Sequence, residues 1–361
     1  MPSASGDCFM RLSRETLATI THFIESSFRE HENGELSIFD SELGDYASDC
    51  SIIQLSSFLA RMGRLGIAEK GIVQSSRLVT GVVSRANDKT WFGIPYNSPI
   101  GEDRAIDIAE LGASARSAGY LANHIDSELG SSLLNAMVSR LESFESQERI
   151  GAYRKNQTAK NFDVLNGDLY AALVLSEAYK ATGISNYAHK MFATIRHLID
   201  RFDENTSQWP YSEYWDGTTL LGMSVAYQAT ITGWGRSISG QLPRQLGQVW
   251  DGILSSAEGE TIRQLENGRT TSNEVPSWVS PWEGVWEIWQ ALELSRDSDF
   301  SRDWIQARLL ELESGFGMHG VDYLGDSRPP RINRTVIGSK LRMVSNLAAI
   351  LLSVEDQNLL S

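Results

Sequence analysis

Glu213 and Asp216 lie in the run Trp209-Pro210-Tyr211-Ser212-Glu213-Tyr214-Trp215-Asp216, where aromatic rings flank both carboxylates. Packing a carboxyl group against rings strips water from it and raises its pKa, as a general acid needs. Two such groups cleave a glycosidic bond when they stand about 6.5 to 9.5 Å apart with inversion, or about 5 to 5.5 Å apart with retention. Asp216 equally has the type and position of a cap for a helix starting near Thr218, so both roles stay open. Other side chains suit proton abstraction beside a carboxylate. Tyr153 precedes Arg154 and Lys155, a base next to cations that can hold developing negative charge, and His319 with Tyr323 offers a second such group.

Around these residues stand groups that would hold a polyhydroxylated ligand. Trp91, Trp209, Tyr211, Trp215 and Trp282 offer rings for stacking, while Arg154, Asp163, Glu283, Asp322 and Tyr323 offer hydrogen bonds or charge. Large rings also fill cores, and Trp282, Trp286 and Trp289 recur at helical spacing, which suits packing for Trp286 and Trp289. Asp163 has the same helix-cap ambiguity as Asp216.

The elements that carry these groups are helices. Leu165, Leu169, Ala172, Leu173, Ser176 and Tyr179 fall at three- and four-residue spacings before Gly183, and Phe192, Ile195 and Leu198 continue the pattern beyond it. No alternation of apolar and polar residues argues for a sheet. A short aromatic and glycine-containing phrase follows successive helical stretches: Trp91-Phe92-Gly93, Ile150-Gly151-Ala152-Tyr153, Trp209-Pro210-Tyr211 and Phe316-Gly317-Met318-His319. The steps are 58 residues from Phe92 to Ile150, 59 from Ile150 to Trp209 and 107 from Trp209 to Phe316, the last close to two units. Such a repeat predicts about six helical hairpins in one assembly over residues 14–355, after a flexible stretch 1–13. Turns within hairpins are short and links between hairpins are long, so the long loops are expected to gather at one end, where a site is expected.

Bulk properties narrow the function. With 41% hydrophobic and 22% charged residues the chain has ample core, and no apolar run reaches the roughly 20 residues of a membrane span. A net charge of −14 disfavours nucleic acid as a partner. Met1 to Arg14 has no apolar core of a signal peptide, so a cytoplasmic location and no membrane insertion are expected. Cys8 and Cys50 cannot build a cysteine metal site, and no phosphate-binding glycine loop or nucleophile elbow is present, so neither a cofactor nor a metal is expected.

Helical units of about sixty residues, the phrase Asn205-Thr206-Ser207-Gln208-Trp209-Pro210-Tyr211-Ser212-Glu213 and the helix opening Asp163-Val164-Leu165-Asn166-Gly167 resemble the all-α (α/α)6 toroids of carbohydrate-active proteins. These include polysaccharide lyases, inverting glycosidases, sugar epimerases and helical proteins of bacterial exopolysaccharide biosynthesis. The resemblance covers about residues 90 to 355 and implies a substrate groove at the mouth formed by the long loops. It also implies action on a glycosidic bond, by hydrolysis with Glu213 or Asp216 or by elimination with Tyr153 or His319. The alternatives are a non-catalytic glycan-binding or scaffold protein in contact with polysaccharide biosynthesis proteins, and a sugar epimerase or isomerase. In each case the ligand is an oligosaccharide or glycan precursor.

Overall fold

The computed structural model describes residues 12–93, 106–156, 161–221, 225–267, 288–289, 291–292, 299–326 and 339–352. The chain begins with α1 (Arg14–Ser26), the strands β1 (Phe28–Glu30), β2 (Leu36–Asp40) and β3 (Asp45–Tyr46), then α2 (Asp49–Arg64) and α3 (Gly71–Asn87). Next come α4 (Ile108–His124), α5 (Ser127–Glu142), β4 (Phe162–Val164), α6 (Leu165–Thr182) and α7 (Ser185–Asp200). The strands β5 (Ser212–Tyr214) and β6 (Thr219–Leu221) lead into α8 (Val225–Ser239) and α9 (Arg244–Glu266), and three further helices span Asp299–His319, Asp322–Asp326 and Lys340–Leu351.

Alternate helices form an inner set. α2, α4, α6 and α8 pack side by side in that order, and the helix Lys340–Leu351 returns to pack on α2. The odd-numbered α3, α5, α7 and α9 each pack against the inner helix before them. Burial separates the two sets. α6 is buried continuously from Leu165 to Ala178, whereas α7 buries only the stripe Ala188, Met191, Thr194, Ile195, His197 and Leu198, as an outer helix with one face to solvent does. Inner helices approach closely where glycine allows it: a Cβ on Gly112 of α4 would come within 2.2 Å of Tyr170 Cβ on α6.

One hydrophobic cluster runs from Leu12 to Leu351. Leu12 is wholly buried, and Ser13 caps α1 through a Thr16 N–H bond of 3.1 Å, so both belong to the packed body rather than to the flexible stretch expected before residue 14.

Inner helices pass to outer ones through short links at 65–70, 125–126, 183–184 and 240–243, and outer helices return through long ones at 27–48, 88–107, 143–164 and 201–224. These four long links therefore lie at the N-terminal ends of the inner helices. Two of them fold into small antiparallel sheets, β1-β2-β3 and β4-β5-β6, that the sequence patterning did not predict. Strands of two to five residues are too short to show an alternation above background. The repeat phrase at Phe316–His319 is not a loop either, because it forms the last turn of the helix Asp299–His319.

Inner-helix N-termini carry partial positive charge and unpaired N–H groups, which accounts for many carboxylates at this end. Asp107 caps α4 by accepting the Glu110 N–H at 2.8 Å, Asp49 opens α2 and Asp168 lies in the first turn of α6.

Candidate functional site

Asp163 on β4 stands directly opposite Glu213 on β5. Alternation along a strand puts these two carboxylates on one face of the sheet and Phe162 and Val164 on the other. The acidic face packs towards the outer helix α7, and both Asp163 and Glu213 are fully buried. Glu213 accepts a bond from Arg149 Nη1 and another from Arg201 Nη2 at 2.6 Å. Arg149 also donates to the Trp215 carbonyl at 2.7 Å, which ties the β5-β6 turn down. Behind the sheet, His197 of α7 inserts Nε2 between Asp163 Oδ2 at 2.9 Å and Asp168 Oδ2 at 3.3 Å, and Asp168 Oδ1 accepts the Tyr153 backbone N–H at 2.7 Å.

Electrostatics bind this group as a unit. Burial by itself would lower the His197 pKa, but hydrogen bonds and charges from Asp163 and Asp168 outweigh it and push it up to about 10. Burial raises Asp168 well above the usual carboxylate range and the Asp163 charge raises it further, with His197 opposing both. Asp163, Asp168 and His197 each offer one ligand atom, all within 4.8 Å of one another, the donor set of a divalent transition-metal site. A metal there must displace the proton that His197 holds tightly, since imidazole binds metal only when neutral. In this structure the three groups form a carboxylate pair bridged through His197.

The opposite face of the same sheet meets the inner-helix N-termini. Val164, Tyr211 and Tyr227 form a separate small buried cluster, with Phe162 packed on it. Tyr211 and Tyr227 stack with ring centroids 4.4 Å apart and planes inclined by 17°. Lys155 joins them. Burial tends to lower its pKa, but Tyr211, by charge and a side-chain hydrogen bond, and the Asp107 charge raise it overall, so the ammonium form is secured. The Lys155 carbonyl accepts the Ile108 N–H at 2.9 Å, pinning this loop to the start of α4. Beside it, Asn166 at the start of α6 buries an Oδ1 that has no hydrogen-bond partner among the described residues.

The expected site residues are thus divided. Glu213 and Asp163 belong to the buried ionic group beside α7. Asp216 is exposed, and its Oδ1 accepts the Thr218 N–H at 2.8 Å, a bond that holds its carboxyl below the usual range and makes it a turn residue. Tyr153 is buried to 2% exposure, and burial raises its phenol far above its ordinary pKa, with Glu145 and Asp168 adding to the shift. Arg154 is half-buried and its N–H donates to the Phe144 carbonyl at 2.8 Å. Trp209 has no exposure and cannot stack on a ligand: its Nε1 donates to Leu198 O at 2.7 Å, and Gln228 clamps its backbone N–H and carbonyl at 3.0 and 2.7 Å. Trp91 and Trp215 are half-buried, and Trp91 packs on the core.

His319 lies exposed at a helix end, Asp322 pairs with Lys340 at 2.5 Å, and Tyr323 packs edge-on to Phe316 with its pKa raised to about 12 by burial and Glu311. This group includes none of the Glu213 or Tyr211 contacts. Trp282 and Glu283 lie outside the described residues. Arg149, Asp168, His197, Arg201, Asp107 and Tyr227 were missed as partners, and Lys155, expected beside Tyr153, instead meets Tyr211. His197 carried one weak signal, a histidine on the apolar stripe of an amphipathic helix.

No protein-family model matches the chain, and no curated protein matches it in sequence. Solved structures do match. Cellobiose 2-epimerase from Spirochaeta thermophila superimposes with a TM-score of 0.63 at 12% identity, covering 93% of this chain and 95% of that one. The GH76A alpha-1,6-mannanase from Salegentibacter gives 0.57 at 10% identity over 94% and 99%, and unsaturated glucuronyl hydrolase from Bacillus gives 0.54 at 12% over 95% and 96%. The chain is an (α/α)6 toroid. At such identities the likeness establishes the fold, with the long links forming the toroid's mouth. Among the described residues, no helix is long and apolar enough to cross a membrane.

Proposed function

We propose that this toroid is a carbohydrate-active enzyme of bacterial polysaccharide metabolism that takes an oligosaccharide at its mouth and breaks a glycosidic bond by elimination. The observation that carries this reading is the hydrogen bond of Lys155 to Tyr211, whose ring stacks on Tyr227, where α4, α6 and α8 begin. Elimination beside a uronate carboxylate needs a base to take the proton next to that carboxylate and a cation to hold the resulting enolate. Tyr211 Oη fits the first role and the Lys155 ammonium the second, with the helix N-termini adding to the positive field. The carbon–hydrogen electrons form the new double bond as the glycosidic oxygen leaves and is protonated. Hydrolysis by Glu213 is disfavoured, because that carboxylate is buried and neutralised by two guanidinium groups.

The structural neighbours named as acting on mannan, cellobiose and an unsaturated glucuronyl unit support a sugar ligand, the last of them a uronate. The experiment is incubation with neutral and uronic-acid oligosaccharides followed by mass spectrometry. An unsaturated uronide that disappears in Tyr211→Phe supports the mechanism, and a gain of water without unsaturation rejects it. A non-catalytic glycan-binding role in exopolysaccharide assembly is the second reading, favoured by the 7% exposure of Tyr211. Thermal stabilisation by one glycan with no product would select it.

A further inference from the structure

At the end of the toroid away from the mouth, the C-terminal halves of four inner helices surround a cavity of about 420 Å³. Its wall is cationic in a chain where acidic residues outnumber Lys and Arg by 46 to 32. Arg61 and Arg64 come from α2, Arg116 from α4 and Lys180 from α6, and Glu177 of α6 is the carboxylate in the described lining. Glu177 pairs with Lys180 Nζ at 2.8 Å, so one carboxylate faces four cations from three helices; burial lowers the Arg116 pKa, Glu177 opposes, and Arg61 lowers it slightly further.

Helix C-termini attract cations, and that accounts for part of the set. Arg61 is buried and donates to the Leu351 carbonyl at the end of the last helix. Arg64 lies on the last turn of α2 and donates to Tyr120 Oη at 2.9 Å. Arg116 is not explained this way. It sits mid-helix in α4, about two turns from the end, where the terminal field has decayed, and its guanidinium lies 5.2 Å from the Trp234 ring centroid. Holding a half-buried cation over a ring orients it towards the cavity wall that Glu177 and Lys180 share. Gly119 gives Glu177 its room, since a Cβ there would come within 2.2 Å of Glu177 Oε2.

A guanidinium can carry several acceptors at once in a planar fork, and an ammonium three, so this wall matches an anion with several oxygens. We propose that the cavity binds a small phosphorylated ligand carrying at least two negative charges, of the pyrophosphate class. Its size falls in the range of small-molecule pockets, larger than one phosphate group requires. The site stands apart from the mouth and does not depend on what the mouth does.

Isothermal titration of the full chain with sodium pyrophosphate at low ionic strength tests it. One saturable site is expected, weakening as salt rises. Arg64→Met and Lys180→Met, both at exposed positions, are each expected to lower affinity about tenfold, equivalent to about 1.4 kcal/mol. Arg116→Met is expected to lower it further, and a circular dichroism melt shows whether that variant is folded. Tyr211→Phe at the mouth is expected to leave pyrophosphate affinity unchanged. Absence of saturable heat up to about 10 mM ligand, weaker than any working site, overturns the proposal, as does unchanged affinity in both Arg64→Met and Lys180→Met.

Discussion

His197 Nε2 lies 2.9 Å from Asp163 Oδ2, and this bond joins the outer helix α7 to the strand that opens the inner helix α6. Both residues are buried, and Asp168 reaches the same nitrogen from the first turn of α6. The proton on His197 thus holds an outer helix, a sheet and an inner helix together.

Stability should fall as pH rises through the alkaline range. The His197 pKa is about 10 in the folded protein and about 6.5 unfolded. A raised pKa means that the folded state binds the proton more tightly, so this contribution is fully present below about pH 6.5 and lost towards pH 10. The raised Asp168 pKa has the same sign. Urea unfolding between pH 6 and 10 is the measurement. His197→Gln should flatten the slope and cost about 3 to 5 kcal/mol at neutral pH, because it leaves buried carboxylates without their partner. A slope that survives in His197→Gln assigns it to another group.

Manganese or zinc should not stabilise the protein near pH 7, since either must first displace the His197 proton. Differential scanning fluorimetry with and without chelator reads this. A rise in Tm that Asp163→Asn abolishes would reverse the assignment and make Asp163, Asp168 and His197 a metal centre.

Glu213→Gln separates a structural carboxylate from a catalytic one. Glu213 neutralises Arg149 and Arg201 from a fully buried position, so the amide should cost about 3 kcal/mol or more of stability. A catalytic acid replaced by its amide would instead lose turnover with the Tm intact. Comparing Tm with turnover for this variant distinguishes the two.

Much of the fold was legible because helical periodicity survives wherever a helix buries one stripe, as along Met191, Ile195 and Leu198 of α7. The spacing of the long links also located the mouth. What was not legible is which way a loop residue turns. Asp163 and Phe162 are neighbours in sequence but face opposite sides of β4, and nothing local sets that choice. Trp209 looked like a surface platform because polar residues surround it, yet the amide that clamps it, Gln228, comes from the next helix. The partner of Tyr211 had the same problem: Lys155 lies more than fifty residues earlier and meets it only through the packing of α4 against α6.

Close approach of α4 and α6 should make Gly112→Ala destabilising by about 1 to 3 kcal/mol, since the new Cβ would meet Tyr170 Cβ at 2.2 Å and both helices are fixed by neighbours. Gly240→Ala is the control, with open space around it. Equal Tm values for the two variants would show that the inner helices can part at no cost.

Tyr211→Phe removes one hydroxyl and keeps the ring that stacks on Tyr227, so substrate affinity should change little while turnover falls by about 100- to 10,000-fold. Lys155→Met should also lower turnover, because the enolate then forms without its cation. If the two groups act on one transition state, the double variant loses little more than either single one, as groups that act as a unit are not additive. Tyr227→Phe keeps the stack and lacks only its own hydroxyl, and it should retain most activity. A loss confined to KM in Tyr211→Phe would mean that the hydroxyl binds the sugar and that the proton is taken elsewhere in the mouth.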